Sequence, residues 1–542
     1  MQKTLGSYLI EVLEAQGVRH VFGIPGVHNL ELYRGLATSG ICHVAGRHEQ
    51  GLGFMADGYA RVSGELGVCF TITGPGLTNI ATAMGQAAAD SIPLLVISSE
   101  NRRGEIGTGK GYLHETPDQL GIGSRVAGSS QRITHPEDLV PALERIFRAA
   151  RSARPQPAYL EIPRDVLTEE AGHLPAAVRF AVPAPVVPAA TAVAAAAERL
   201  AAARAPLIIA GGGALRAAAE VGALAERLGA PLVTTINARG LLPPGHALNV
   251  PFSPSLAPVR ELVAGADVVL AIGTEFGQTD YDMYGVSEFA QPAGLIRIDI
   301  DRDQLQRNVR PELPLLGDAT ATLQALLAAL PLAALRSAEG DAAVNSAGAV
   351  RAADARQAAF AALTPAMQRQ VAFLEVIRDT VPAALLVGDS TQAVYAGNLG
   401  FAAATSGSWF NSATGYGSLG YALPASTGAS LAAPHRPVVC LVGDGGLQFS
   451  LGELAGPREA DAWTAIVIWN NRGYGEIKTS MLAVGIEPEG VDVLPPDFDL
   501  LAQAYGYRYR RVDSLATLEQ AMRDFAARRQ VVVLEVQADA FE

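Results

Sequence analysis

Two short motifs late in the chain have the residue types and spacing to hold an anion and a cation together. Gly443-Asp444-Gly445 follows the apolar run VVCLV, and 24 residues later Asn470-Asn471 closes the run AIVIW. Continuous Val/Ile runs predict strands buried on both faces, so both motifs fall at strand ends, where open α/β sheets bind ligands. Asp444 offers a carboxylate, Asn471 a side-chain amide oxygen and Gly473 a backbone carbonyl. These are the hard oxygen donors that a magnesium ion bridging a diphosphate requires in near-octahedral geometry. Gly443, Gly445 and Gly446 let the backbone approach phosphate closely and donate N–H groups. A helix expected to start near Gly446 would point its positive end at the same anion. Either motif alone is an ordinary turn; the pair at this spacing is specific.

Other groups gain meaning beside that pair. Arg47-His48-Glu49-Gln50-Gly51 leads into GLGFMADGYAR, an expected helix with a small-residue face of Gly51, Ala56, Gly58 and Ala60. A glutamate at a helix start is by itself usually a solvated one. Thr73-Gly74-Pro75-Gly76, Gly388-Asp389-Ser390-Thr391-Gln392 and Gly417-Ser418-Leu419-Gly420 are further turns, the second directly after the strand-like ALLV. Two loops carry histidines: Gly23-Ile24-Pro25-Gly26-Val27-His28 and Leu113-His114-Glu115-Thr116. Imidazole titrates near neutral pH and suits proton shuttling, with a structural hydrogen-bonding role as the competing reading. The Asn pair runs on through Arg472-Gly473-Tyr474-Gly475-Glu476-Ile477-Lys478, and residues 479–496 are punctuated by Pro and Gly, as in a segment able to close over a site.

Taken together, these motifs resemble the thiamine-diphosphate enzymes of the acetolactate synthase and 2-oxo acid decarboxylase superfamily, and the resemblance spans the chain. It implies thiamine diphosphate and Mg2+ as cofactors and a small 2-oxo acid as substrate. It makes Glu49 the carboxylate on the pyrimidine nitrogen N1′, and Asp444, Asn471 and Gly473 the metal ligands. Thr73, Gly74 and Asn79 fall to the pyrimidine side. Thr391, Gln392, Gly443, Gly445, Gly446, Tyr474 and Gly475 fall to the diphosphate side. Leu419 would wedge between the cofactor rings, and the Gly417 carbonyl would accept from the 4′-amino group. His28 resembles a histidine that carboligating lyases keep near the cofactor, and His114 stands in a loop similar to the His-His-Thr loop of pyruvate decarboxylases. Val27 stands where some of those enzymes have an acid. Ile477 matches a pocket aliphatic position, with Glu476 one residue before it. The catalytic set is thus Glu49, His28 and His114, and the substrate set Val27, His28, His114, Glu476 and Ile477. Within the superfamily, LHETPDQ, SATGYGSLGYALPAS and GIEPEGVDVLPPDF are most similar to 5-guanidino-2-oxopentanoate (2-ketoarginine) decarboxylases. The expected reaction is therefore non-oxidative decarboxylation, to 4-guanidinobutanal and CO2 for that substrate. A pyruvate carboligase of the acetolactate synthase type is the alternative, and a non-catalytic scaffold is disfavoured by intact Glu49, Asp444 and Asn471.

The elements that must position these residues are legible as alternating apolar runs and helical stretches, which predict doubly wound parallel sheets. Two breaks, a Pro/Ala-rich stretch at 174–195 and an Ala-rich one at 328–366, divide the chain into three α/β domains: 1–175 (pyrimidine-binding), 190–328 (central, Rossmann-like) and 366–542 (diphosphate-binding). The central PLIIAGGG lacks a clear GxGxxG, so no flavin is expected there. With 49% apolar residues and 18% charged, the 542-residue chain can bury large cores. A net charge of −13 argues against nucleic acid and anionic membranes. The three cysteines show no paired spacing, and Cys69 and Cys440 sit in strand-like runs as small core residues. With no leader peptide or membrane span, a cytoplasmic enzyme is expected. The resemblance further implies a homo-oligomer, at least a dimer and as far as a tetramer, because the Glu-bearing domain of one subunit meets the diphosphate domain of another.

Overall fold

The computed structural model describes residues 3–282, 291–330 and 347–541. Its strands form three parallel six-stranded sheets. The first holds β1 (His20–Gly23), β2 (Cys42–Ala45), β3 (Gly67–Thr71), β4 (Leu94–Glu100), β5 (Ser129–Arg132) and β6 (Ala158–Pro163), in the order β2-β1-β3-β4-β6-β5. The second holds β7 (Pro206–Ala210), β8 (Leu232–Thr234), β9 (Asn249–Val250), β10 (Val268–Ile272), β11 (Ile296–Asp299) and β12 (Leu313–Leu316). Its order, β12-β11-β10-β7-β8-β9, is that of a Rossmann fold. The third holds β13 (Leu385–Gly388), β14 (Trp409–Asn411), β15 (Val438–Gly443), β16 (Thr464–Asn470), β17 (Arg508–Val512) and β18 (Val531–Gln537), in the order β14-β13-β15-β16-β18-β17. That is the first sheet's order repeated. Every residue of β3, β4 and β6 is buried, as helices on both faces of a parallel sheet require, whereas the edge strand β2 is largely exposed.

Small residues bring the first and third domains into backbone contact. Helix Glu49–Ser63 crosses helix Ala422–Ala432 where neither can carry a side chain. A methyl on Gly58 would lie 2.1 Å from the Ala425 carbonyl, and one on Gly428 would lie 1.8 Å from that of Met55. Beside this crossing all three domains meet on a buried ion cluster. Arg61 donates to Asp57 and to Asp90, each at 2.6 Å, and Asn237 of the central domain donates to Asp90 at 3.0 Å. The Arg61 guanidinium lies 5.5 Å from the Phe410 ring centroid. Arg239, also central and buried, donates to the carbonyls of Asn398 and Phe401, both at 2.7 Å. An ion cluster of this kind fixes geometry more than it adds stability.

Residues 176–189 carry neither helix nor strand, and a helix follows at Ala190–Ala202. The Ala-rich connector contains helix Ala347–Ala362, whose Ala352, Ala355 and Ala359 pack with Val259 of the central domain and Leu399 of the third. Residues 331–346 of that connector lie outside the described residues. Cys69 and Cys440 are buried, Cys42 is exposed, and all three are free thiols. Among the described residues no helix is long and apolar enough to cross a membrane.

Candidate active site

The third domain gathers its motif residues at the ends of β13, β15 and β16. The helix at Gly443-Asp444 starts at Asp444, two residues earlier than the sequence suggests, and runs only to Gln448. Asp444 is fully buried. Its Oδ1 accepts from the Asn471 N–H at 3.3 Å and its Oδ2 from the Gly473 N–H at 2.9 Å. Burial raises its carboxyl above the usual range, opposed by those two N–H groups. Among the described residues no ion pair answers its charge. The Asn471 amide nitrogen is 3.0 Å from Gln392 Oε1, and Gln392 also accepts from Trp469 at 3.0 Å. The Asn471 oxygen then lies 3.1 Å from Asp444 Oδ1 and 2.8 Å from the Gly473 carbonyl. Three acceptors facing one another would favour turning the amide round if they stood alone. Their spacing, however, matches the roughly 3 Å edge of an octahedron with bonds of about 2.1 Å, so this donor set fits a magnesium ion.

Glycines keep the cradle open. A methyl on Gly445 would meet the Tyr474 ring at 2.8 Å, and one on Gly475 the Asn471 amide at 2.4 Å. Gly473 adopts φ +145° and lies against the Val491 carbonyl, which also accepts from Tyr474. Gly443 packs against Thr391, and Gly446 against Asp389. Asp389 is buried and accepts from Ser390 at 2.8 Å and from Ala422 at 3.2 Å, which pins the 417–421 turn to the same strand end. Burial pushes its carboxyl up to about 6. Leu419 is half-buried in that turn, and Gly417 is exposed with φ +74°.

The first domain gathers a second group. Glu49 opens helix Glu49–Ser63 and is 8% exposed, and Asn79 donates to its Oε2 at 2.9 Å. Gly74 takes φ +67°, donates to Gln119 at 2.5 Å and packs against the His114 carbonyl. Thr73 is buried against Ser99. His114 is itself held at φ +62°, an uncommon conformation for a residue with a side chain. Its ring meets His28 edge-on, with centroids 5.1 Å apart. His28 is buried with its Nδ1 unpartnered, and burial, then the charge of Arg164, lowers its pKa. Val27 is 69% exposed. Glu476 and Ile477 stand in the first turn of helix Gly475–Ala483, and both are exposed. The protein around Glu476 still desolvates its carboxyl enough to raise its pKa.

Among the described residues no hydrogen bond joins Glu49, Asn79, His28 or His114 to Asp444, Asn471 or Gly473. Three residues outside the site set expected from the sequence support these groups. Glu453 binds the turn before Glu49, Asp389 pins the 417–421 turn, and Gln119 anchors Gly74. None belongs to a spacing pattern except Asp389, which follows a strand run as Asp444 does.

Comparison with known proteins agrees with this architecture. Residues 3–122 match the thiamine pyrophosphate enzyme N-terminal TPP binding domain, 193–326 its central domain and 389–536 its C-terminal TPP binding domain. The chain is 47% identical to "Probable 2-ketoarginine decarboxylase AruI" of Pseudomonas aeruginosa, over 99% of this chain and 94% of that one. It is 31% identical to the acetolactate synthase isozyme 1 large subunit of Escherichia coli, over 87% and 82%. With "Probable acetolactate synthase large subunit" of Methanocaldococcus jannaschii it shares 30%, over 98% and 92%. The chain therefore belongs to the thiamine pyrophosphate enzymes, carrying all three of their domains, and is a thiamine-diphosphate-dependent 2-oxo acid decarboxylase.

Proposed function

We propose that this enzyme decarboxylates 5-guanidino-2-oxopentanoate to 4-guanidinobutanal and CO2, with Mg2+ held by Asp444, Asn471 and Gly473. The observation that carries the substrate is the end-to-end likeness to the 2-ketoarginine decarboxylase relative. When bound, thiamine diphosphate would supply the nucleophilic carbon and the electron sink that decarboxylation of a 2-oxo acid requires. This chain's residues do the rest. Glu49, oriented by Asn79, holds a proton at the pyrimidine N1′. Gln392 keeps the Asn471 oxygen turned toward the metal, and Thr391 with Gly443, Gly445, Gly446, Tyr474 and Gly475 lines the diphosphate cradle. Gly417 and Leu419 would hold the cofactor between its rings, and Thr73 with Gly74 would line the pyrimidine side. His28, kept neutral at neutral pH by its lowered pKa, and His114, whose ring meets it edge-on, are the groups offered to move a proton between water and the product carbon. Val27 and Ile477 keep the pocket mouth apolar, and Glu476 is the carboxylate offered to the guanidinium.

The working unit is a homo-oligomer, at least a dimer. Each chain's two groups of site residues are flanked by exposed apolar side chains: Val27, Leu30 and Leu113 beside the first, Ile477, Leu482 and Val484 beside the second. A second copy would cover both and join Glu49 to the partner's diphosphate site. Three free thiols fit a cytoplasmic location.

The test is a comparison of kcat/KM for 2-ketoarginine, 2-oxohexanoate and pyruvate, with product analysis, in wild type and Glu476→Gln. If bound substrate covers Glu476, an uncharged analogue would leave that acid out of water and unpaired, at a cost of about a hundredfold or more. Pyruvate preferred, with acetolactate accumulating, would replace this reading by the carboligase one. A 2-ketoarginine preference that survives Glu476→Gln would keep the substrate and discard the anchor.

A further inference from the structure

Glu453 lies in the third domain, yet its side chain serves the first. It is 2% exposed, and its Oε1 accepts from the backbone N–H of Arg47 at 2.8 Å and of His48 at 3.0 Å. Those N–H groups belong to the two residues immediately before Glu49. The approach is possible because Gly51 has no side chain: a methyl there would sit 2.5 Å from Glu453 Oε1. On the rim, Arg47 binds Glu459 of the same segment through two hydrogen bonds, at 2.7 and 2.6 Å, but both side chains are exposed and the pair contributes little. The buried contact is different. Its Oε2 is buried without a partner, so among the described residues the two N–H groups on Oε1 are the bonds that hold this carboxyl, and they have one favourable position. Burial raises the Glu453 carboxyl, and those N–H groups oppose the rise.

We propose that Glu453 is a positioning residue for Glu49: through two peptide N–H groups it fixes the turn from which Glu49 is presented to the cofactor pyrimidine. Glu453 follows the metal-site residue Asp444 by nine positions. One segment of the third domain therefore begins on the diphosphate side of the chemistry and ends on the turn that carries the activating acid. Misplacing a catalytic group by about 1 Å costs roughly a hundredfold in rate, so a clamp two peptide groups away is enough to govern activation.

The inference rests on the role given to Glu49 above, and the experiment separates the two. Deuterium exchange at the C2 position of bound thiamine diphosphate, followed by NMR without substrate, reads activation directly. Affinity for thiamine diphosphate is read in parallel by calorimetry. Glu453→Ala should slow exchange about 10- to 100-fold while affinity is unchanged. Glu453→Gln, whose amide oxygen still accepts both N–H groups, should keep most of the wild-type exchange rate. Exchange at the wild-type rate in Glu453→Ala overturns the proposal, and so does a Gln variant as slow as the Ala one. Should Glu453→Ala not fold, Glu453→Asp, shorter by one methylene, is read in its place, with slowed exchange supporting the clamp and unchanged exchange overturning it. Glu49→Gln serves as reference: if it too exchanges normally, the role of Glu49 is what fails. If it does not exchange while Glu453→Ala does, only the positioning fails.

Discussion

The first and third domains run their strands in the same order, yet the ends of those strands are finished differently. In the third domain the polar groups that frame the cradle are mostly answered from within. Asp444 takes two backbone N–H groups, Gln392 joins Trp469 to Asn471, and Asp389 caps the turn before helix Ala422–Ala432. At the cradle three oxygens face one another without a positive partner, and among the described residues Ser418 Oγ, Ser426 Oγ, Ser450 Oγ and Glu453 Oε2 are also buried unpaired. In the first domain the corresponding loops leave His28 Nδ1, Glu100 Oε2, Asn101 Oδ1 and Thr116 Oγ1 buried without partners. Buried polar atoms are seldom left so unless a ligand, water or another chain completes them. One sheet end is thus a cradle of oxygen donors; the other leaves more of its buried polar atoms for a ligand, water or second chain to complete. The same topology supports both because the loops, not the strands, carry the chemistry.

That contrast orders the expected effects of mutation. Glu49→Gln should leave the fold intact, as judged by circular dichroism, and lower kcat by about 10²–10⁴-fold, the range for losing a proton-transfer group. A near-normal turnover would mean that the open end of the first domain is not where activation occurs. Asp444→Ala should weaken thiamine diphosphate binding by at least about a hundredfold in calorimetry, and EDTA should inactivate wild type until magnesium and cofactor are restored. Unchanged cofactor affinity would show the cradle to be complete without a metal.

His28→Ala and His114→Ala should each cost about 10- to 100-fold in kcat/KM. Because the pKa of His28 is lowered from 6.5, its neutral form persists below that pH, and the acid limb of the pH profile should lie under 6.5. Arg164→Gln removes one of the lowering charges and should move that limb upward, leaving the effect of burial in place. A limb that does not move assigns it to another group. The smallest effect is one of stability. Asp389 has its pKa raised from 3.8 to about 6, so its stabilising contribution is full below 3.8 and lost as pH rises through about 6. Asp389→Asn lacks that loss. Its apparent Tm relative to wild type should therefore be more favourable at pH 8 than at pH 5, by an amount worth on the order of 2 kcal/mol at most. A gap that does not vary with pH would show that Asp389 is not strained by its burial.

Much of this was legible in the residues. The runs VCFTIT, PLLVIS, VVCLVG and AIVIW became the fully or nearly fully buried strands β3, β4, β15 and β16. The edge strands were not legible. β5 is SSQR and β17 is RYRRV, polar because one side of each faces water, and neither shows an apolar signature. The spacing of Asp444 to Asn471 reflects two adjacent strands, since each residue directly follows the end of one of them. Glu453 and Gln119 could not be found that way. Each acts on backbone groups brought close by the fold, and a backbone N–H carries no residue type to read. The helix starting at Asp444 rather than at Gly446 is a smaller miss of the same kind, because Gly445 and Gly446 disguise a helical turn.

The crossing of the two glycine-faced helices has a consequence for how the chain is made. Asp57 and Tyr421, hydrogen-bonded beside that crossing, are 364 positions apart in sequence. At a synthesis rate of roughly 5–20 residues per second, the bare face around Gly58 waits some ~20–70 s for its cover. During that time the nascent first domain exposes a strip of naked backbone that nothing yet made can shield. Slowing elongation between residues 60 and 420 should lower the soluble yield, whereas slowing it after residue 432 should not.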